Sequence, residues 1–121
     1  MKFTDTHEWI VQEKKFSTVG ITEHARNEIG EVVYVEMPKV GSFLKRGDDA
    51  CVVESTKAAI VIPSPVSGKI VEINEALKSS ISLINEDPEK KGWLYRIEAT
   101  EPNEFDLLLS LEEYHQLISK E

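Results

Sequence analysis

The chain reads as a mostly β protein, a closed or sandwiched sheet fold, and three observations carry that reading. Short runs dense in β-branched and aromatic residues recur along it, and Gly, Pro, Asn and Asp punctuate the gaps between them. Its 121 residues are 40% hydrophobic and 30% charged, an ordinary globular balance that argues against extended disorder. A chain of this length buries about two-thirds of the surface its unfolded form exposes, so residues 1–121 are expected to form a single domain.

Taken in order, Trp9-Ile10-Val11-Gln12 and Phe16-Ser17-Thr18-Val19-Gly20-Ile21 flank the polar Glu13-Lys14-Lys15, which predicts a β-hairpin with a charged turn. The period then changes. Thr22 is a good N-cap, Glu23 suits the positive end of a helix dipole and Gly30 can close the C-terminus, so residues 22–29 predict a short helix with Ala25 and Ile29 on its apolar face. Val32-Val33-Tyr34-Val35-Glu36 is dense in strand formers and stops before Pro38, which cannot donate to a ladder. Val40-Gly41 and Arg46-Gly47-Asp48-Asp49 bracket a turn-rich connection.

Residues 50–54 and 59–62 predict a pair of strands ended by Pro63-Ser64-Pro65, with Lys57 between them. After the turn at Ser67-Gly68, Lys69-Ile70-Val71-Glu72-Ile73-Asn74 alternates as a strand with Ile70 and Glu72 on one side and Val71 and Ile73 on the other, a mixed pattern. Residues 85–92 predict a polar loop and 93–97 a last strand. Ser110 with Glu113 forms a capping box for a C-terminal helix running to about Ser119.

A formal net charge of −8 and a pI near 4.9 disfavour nucleic acid and anionic membranes as partners, because phosphate binding needs clustered Lys and Arg. Protein partners with basic docking faces fit better. No apolar run is long enough to span a bilayer. The single cysteine, Cys51, precludes an intramolecular disulfide, and Met1-Lys2-Phe3-Thr4-Asp5 carries neither an apolar signal core nor an Arg-rich transit segment, so the expected compartment is a reducing cytoplasm. Cys51, in a strand among apolar residues, reads as a buried structural thiol, and Trp9 and Trp93 read as packing residues. Glu112-Glu113 and Lys90-Lys91 read as solvated faces. His7, His24 and His115 are scattered along the sequence, so no metal site is expected.

The tip around Lys57 carries the chemistry. Cys51-Val52-Val53-Glu54 precedes it, Ser55-Thr56 and Ala58-Ala59 flank it, and Ile60-Val61-Ile62 follows. A flexible ammonium among small neighbours is open to a modifying enzyme. No Asn-Gly or Gly-X pair is present, so a type I-based loop of ordinary residues is expected there. By spacing alone the plain reading is a solvated surface lysine, because exposed lysines are common.

Ordered motifs along the whole chain change that reading. They are Thr6-His7-Glu8-Trp9, Gly20-Ile21-Thr22, Ile29-Gly30-Glu31-Val32-Val33-Tyr34-Val35, Met37-Pro38, Val40-Gly41, Val53-Glu54-Ser55-Thr56-Lys57-Ala58-Ala59, Pro65-Val66-Ser67-Gly68, Leu83-Ile84-Asn85, Asp87-Pro88 and Gly92-Trp93-Leu94. Through them the chain closely resembles the H proteins of the glycine cleavage system, which are lipoyl carriers. The resemblance implies a flattened barrel-sandwich hybrid of the lipoyl/biotinyl-domain type, with a short helix in the N-terminal half and another at the C-terminus. It implies lipoic acid joined covalently to Lys57 as N6-lipoyl-lysine, with Glu54 and Ala58 read by the lipoylating enzyme. Biotin carriers, which share the architecture, resemble a pattern with methionines around the lysine, where this chain has Thr56 and Ala58. Lipoyl domains of 2-oxo acid dehydrogenases usually have Asp before the lysine and lack the additional terminal segments.

The same resemblance implies a non-catalytic, monomeric carrier of the methylamine moiety of glycine. Its partners would be glycine decarboxylase, aminomethyltransferase and dihydrolipoyl dehydrogenase, and no residue would be catalytic because the arm's dithiolane performs the redox chemistry. Family members shelter the loaded arm in a cleft with polar and acidic groups. Thr6 and Glu8 stand at the N-terminal part of that cleft, whereas Val61 replaces a usual acid and Glu28 a usual histidine, which implies weaker sheltering. Ser82, Ile60-Val61 and Glu89-Lys90 are milder departures. Two alternatives stay open: a lipoyl donor or relay serving other acceptors, and an unmodified adaptor that keeps the fold.

Overall fold

The computed structural model describes residues 1–121. The first hairpin forms where the sequence places it: β2 (Glu8–Gln12) and β3 (Ser17–Ile21) pair antiparallel, with β1 (Lys2–Phe3) added outside β2. Every residue of β3 is buried, and β9 (Tyr95–Ala99) pairs with its first three residues along the other edge. Trp9 lies directly over its cross-strand partner Gly20, where a Cβ would stand 2.6 Å from the indole, so only glycine admits that packing.

Thr22 caps α1 (Glu23–Ile29) as expected, its hydroxyl accepting from the Ala25 amide at 3.2 Å. β4 (Val32–Glu36), β6 (Asp49–Ser55) and β7 (Ala59–Pro63) then form a three-stranded sheet with β6 in the middle. β5 (Phe43–Leu44) and β8 (Gly68–Ile73) return to the first sheet, which runs β1-β2-β3-β9-β8-β5. Both sheets have free edge strands in this order, so of the two expected arrangements the sandwich is the one formed. Their facing apolar side chains, among them Val19, Val53, Ile70 and Tyr95, make the main core together with Ile84 of α3 (Ser82–Glu86) and Leu94 just before β9. Cys51 lies in it at 2% exposure, and burial pushes its thiol pKa well above the ordinary value, as a structural thiol requires.

Several elements depart from the sequence reading. Ile70 and Glu72 do not share a face: the pairing of β8 with β9 shifts register between them, so Ile70 is fully buried while Glu72 is exposed. A β-bulge thereby resolves the mixed pattern. The last strand begins at Tyr95 and not at Trp93, and the polar loop begins after Glu86, because Asn85 and Glu86 close α3 (Ser82–Glu86). α2 (Ala76–Ser79), α3 and a 3-10 turn (Pro102–Leu107) are too short to show a helical period, and β1 and β5 are two residues each. No helix is long and apolar enough to cross a membrane.

The C-terminal helix α4 (Leu111–Ser119) begins with the full capping box: the Ser110 hydroxyl accepts from the Glu113 amide and the Glu113 carboxylate accepts from the Ser110 amide. Its Tyr114 stacks on Phe3, with ring centroids 4.6 Å apart, and these two with Trp9 make a second, smaller core that fastens α4 to the first hairpin. Accepting from the Ser110 backbone holds the Glu113 carboxyl below its ordinary pKa. A group whose folded pKa is depressed adds stability above its unfolded pKa and loses it as pH falls through the folded value. Ser110→Ala, which removes the hydroxyl that caps the Glu113 amide, is expected to lower unfolding free energy at neutral pH by about 1 kcal/mol in urea titrations. Glu113→Gln should flatten the acid limb of the stability profile, measured by repeating those titrations below pH 5.

Candidate functional site

Glu54 and Ala59 are the last paired residues of the β6–β7 hairpin, so Ser55-Thr56-Lys57-Ala58 forms the tip. Ser55 closes it. Its amide donates to the Ala58 carbonyl at 2.8 Å, and its hydroxyl accepts from the amides of Lys57 and Ala58, both at 3.1 Å. No residue of the tip takes a positive φ, so no glycine is needed, and the backbone donors of Ser55, Lys57 and Ala58 are satisfied within the turn. Lys57 and Ala58 are exposed at the apex and Glu54 is exposed at the end of β6.

The tip does not float. The Thr56 amide donates to the Glu31 carbonyl at 3.0 Å, tying it to the chain just after α1. That chain is itself held by Asn85, whose side chain accepts from the Val32 amide at 2.8 Å and donates to the Val32 carbonyl at 2.9 Å, as a neighbouring strand would. Between α1 and this clamp, Gly30 adopts φ 84° and ψ −163°, a region open essentially to glycine alone. The Lys57 stem lies over Gly30, where a Cβ would stand 3.0 Å from Lys57 Cε. Ser55, Gly30, Glu31 and Asn85 thus position Lys57. The motifs contain all four, but their bonding depends on neighbours distant in sequence.

A cleft of about 350 Å3 lies on another part of the surface, lined among others by Thr4, Thr6, Glu8, Arg46, Ser64 and Leu108. Glu8 is 1% exposed. Its Oε1 accepts from the hydroxyls of Thr4 and Thr6, each at 2.7 Å, while its Oε2 is buried without a hydrogen-bond partner. Burial raises the Glu8 pKa, and the two threonine hydroxyls offset part of that rise. A desolvated carboxylate oxygen with no donor is a strong acceptor for a cationic group entering the cleft.

The structure groups Thr6 with Glu8 and adds Thr4, but it does not bring Glu28 or Val61 to the lining of this cleft. Glu28 lies on α1 with its carboxylate against His24, 2.5 Å from Nε2. Val61 is about half exposed on β7, opposite Val52.

The family model described as "Glycine cleavage H-protein" matches residues 1–121. The glycine cleavage system H protein of Thermotoga maritima is 46% identical over 120 residues, covering 99% of this chain and 97% of that relative. Its counterpart in Alcanivorax borkumensis is 46% identical over 121 residues, covering 100% of this chain and 94% of the other. In solved structures, the crystal structure of a glycine cleavage system H protein from Mycobacterium marinum superposes with a TM-score of 0.86 at 33% identity, covering 98% and 95% of the two chains.

Because Gly30 occupies a region that Cβ-bearing residues avoid, Gly30→Ala is expected to cost about 1–3 kcal/mol in denaturant unfolding. The strain is in the backbone, since the lysine stem can swing aside. Gly30→Ala should therefore also shift the backbone amide resonances of Thr56 and Lys57, which two-dimensional NMR would record.

Proposed function

The chain belongs to the glycine cleavage H-protein family, and from that premise we propose that Lys57 carries lipoic acid in amide linkage while Glu8 receives the cationic amine of the cargo. This protein is a lipoyl carrier of the glycine cleavage system and works with the other components of that system. The observation that supports Lys57 is its exposure at a tip whose amides bond within the turn or, at Thr56, anchor it to Glu31. An acyl-transfer enzyme can therefore approach the ammonium without unfolding the hairpin. Lipoic acid, when bound, supplies a dithiolane that exchanges between disulfide and dithiol.

The chain's own residues do the rest. The Lys57 amine provides the nitrogen of the amide, and the Gly30–Glu31 turn fixes where the arm is rooted. Glu54 and Ala58, exposed beside Lys57, are surfaces for the lipoylating enzyme to read. In the cleft, Thr4 and Thr6 hold Glu8 Oε1 and leave Oε2 for a cationic amine, and Asp5 adds a second acid to the lining, of which Val61 and Glu28 are not part. Glycine decarboxylase, aminomethyltransferase and dihydrolipoyl dehydrogenase are the components that meet the arm in turn, each seeing it at the high effective concentration that tethering provides.

Intact mass of the protein from its native host, followed by peptide fragmentation, tests the attachment. One lipoyl or octanoyl group on Lys57 is expected, and Lys57→Arg should remain unmodified while keeping its circular dichroism. Modification at another lysine, or none, would overturn the assignment. For the cleft, Glu8→Gln retains an acceptor for both threonines but removes the charge. Loss of a hydrogen bond to a charged partner, worth about 1.5–3 kcal/mol, corresponds to about a ten- to hundredfold faster release of the glycine-derived amine, measured by single-turnover loss of labelled amine. Unchanged release would remove Glu8 from the amine site.

A further inference from the structure

Three histidines and many acids lie apart in the sequence, but folding gathers four of them. His7 from the loop before β2, His24 and Glu28 one turn apart on α1, and Glu121 after α4 place one ligand atom each within 4.8 Å of all the others. The individual separations are 3.2 Å from His7 Nε2 to Glu121 Oε1, 2.5 Å from His24 Nε2 to Glu28 Oε1 and 3.5 Å from His24 Nε2 to Glu121 Oε1. Four ligands about 2.0–2.1 Å from a tetrahedral metal stand about 3.3–3.4 Å from one another, which falls inside this spread.

We propose that His7, His24, Glu28 and Glu121 bind one zinc-like divalent transition-metal ion, which clasps the N-terminal loop, α1 and the end of the chain together. The donor set selects the class of ion. Imidazole nitrogen with carboxylate oxygen suits zinc and its first-row neighbours, whereas magnesium and calcium take oxygen alone. Two neutral imidazoles with two carboxylates also carry the charge that balances a dication, on a chain whose net charge is −8.

Three independent features separate this cluster from chance surface ion pairs. His7 uses Nδ1 to bond the Tyr114 hydroxyl at 2.9 Å, and that hydroxyl bonds Thr22 Oγ1 at 2.7 Å. This is how metal-binding histidines are usually steered: the far ring nitrogen is tied down and the near one faces the ion. His24 Nε2 is buried and makes no well-aligned hydrogen bond, although two carboxylate oxygens stand close to it. An in-line acceptor is missing where a Lewis acid would serve. His7 is also the one non-glycine residue with a positive φ, 71°, and its backbone is pinned on both sides, its amide to the Thr4 carbonyl and its carbonyl to the Thr22 amide. Strain held in place by surrounding bonds is characteristic of ligand-binding positions. The imidazoles are 14% and 26% exposed and the carboxylates 36% and 51%, so an ion can enter without opening the core.

The clasp has a defined reach. The loop it holds carries Thr4, Thr6 and Glu8 of the cleft, and the helix it holds ends at Gly30 under Lys57, so metal binding would stiffen both sides of the arm's path. The proposal does not depend on lipoylation and is tested on the unmodified full chain. After dialysis against a chelator, zinc chloride titration by calorimetry should show one saturable site per chain, and zinc should raise the thermal midpoint. The NMR signals of the His7 and His24 rings should shift, and those of the exposed His115 should not. Cobalt(II) should develop the visible absorption of a tetrahedral nitrogen-and-oxygen site. His24→Gln and Glu28→Gln should each weaken zinc binding at least tenfold, and Tyr114→Phe about tenfold through His7. Glu28 is half exposed, so Glu28→Gln keeps the fold and decides the matter even where another variant does not. No saturable binding, or zinc affinity unchanged in Glu28→Gln and His24→Gln, would overturn the site and leave the four groups as ion pairs only.

Discussion

A backbone conformation available essentially only to glycine governs where Lys57, the proposed attachment point, stands. Gly30 ends α1 at φ 84° and ψ −163°, and this sharp exit turns the Glu31 carbonyl toward the Thr56 amide and delivers Val32 to the side chain of Asn85. From there β4 pairs with β6, β6 with β7, and the β6–β7 hairpin carries Lys57 at its tip. The missing Cβ also leaves room for the lysine stem over the turn. One helix terminus therefore sets the strand start, the tip anchor and the side-chain path together.

The second organising feature is the small core of Phe3, Trp9 and Tyr114. It is separate from the main core and joins the two ends of the chain, with Phe3 and Leu109 exchanging both backbone hydrogen bonds at 2.9 and 2.7 Å. Next to it the chain keeps polar groups where apolar ones would be easier to bury. Glu8 holds one oxygen without a partner, and such a group costs stability, because desolvation of a carboxylate is only partly offset by two hydroxyl donors. A buried acceptor of this kind is consistent with a site kept for a ligand and not for the fold.

Legibility in the sequence followed the range of the forces involved. Thr22 and Ser110 with Glu113 could be read directly, because a cap bonds amides two or three residues away. The hairpins at residues 8–21 and 49–63 were legible for a similar reason, since strand formers flank a polar or small-residue turn. The bulge between Ile70 and Glu72 was not, because it depends on register against β9. Helices of four or five residues leave no period to detect, and β1 and β5 exist only because longer strands offered them an edge.

For the site, local sequence determined a hairpin with a lysine at its tip, and the ordered motifs determined the family, since both are written in neighbouring residues and their spacing. Only the tertiary structure decided that Thr4 and Thr6 share one oxygen of Glu8, that Glu28 meets His24 and is not part of the cleft lining, and that Val61 lies on an open sheet face. The histidines make the division plainest: His7 and His24 are seventeen positions apart in the chain, yet their rings lie 4.7 Å from each other beside Glu121. Such proximity arises from the packing of α4 and α1 against the first hairpin, a sum of many weak contacts between distant segments that no short stretch of sequence contains.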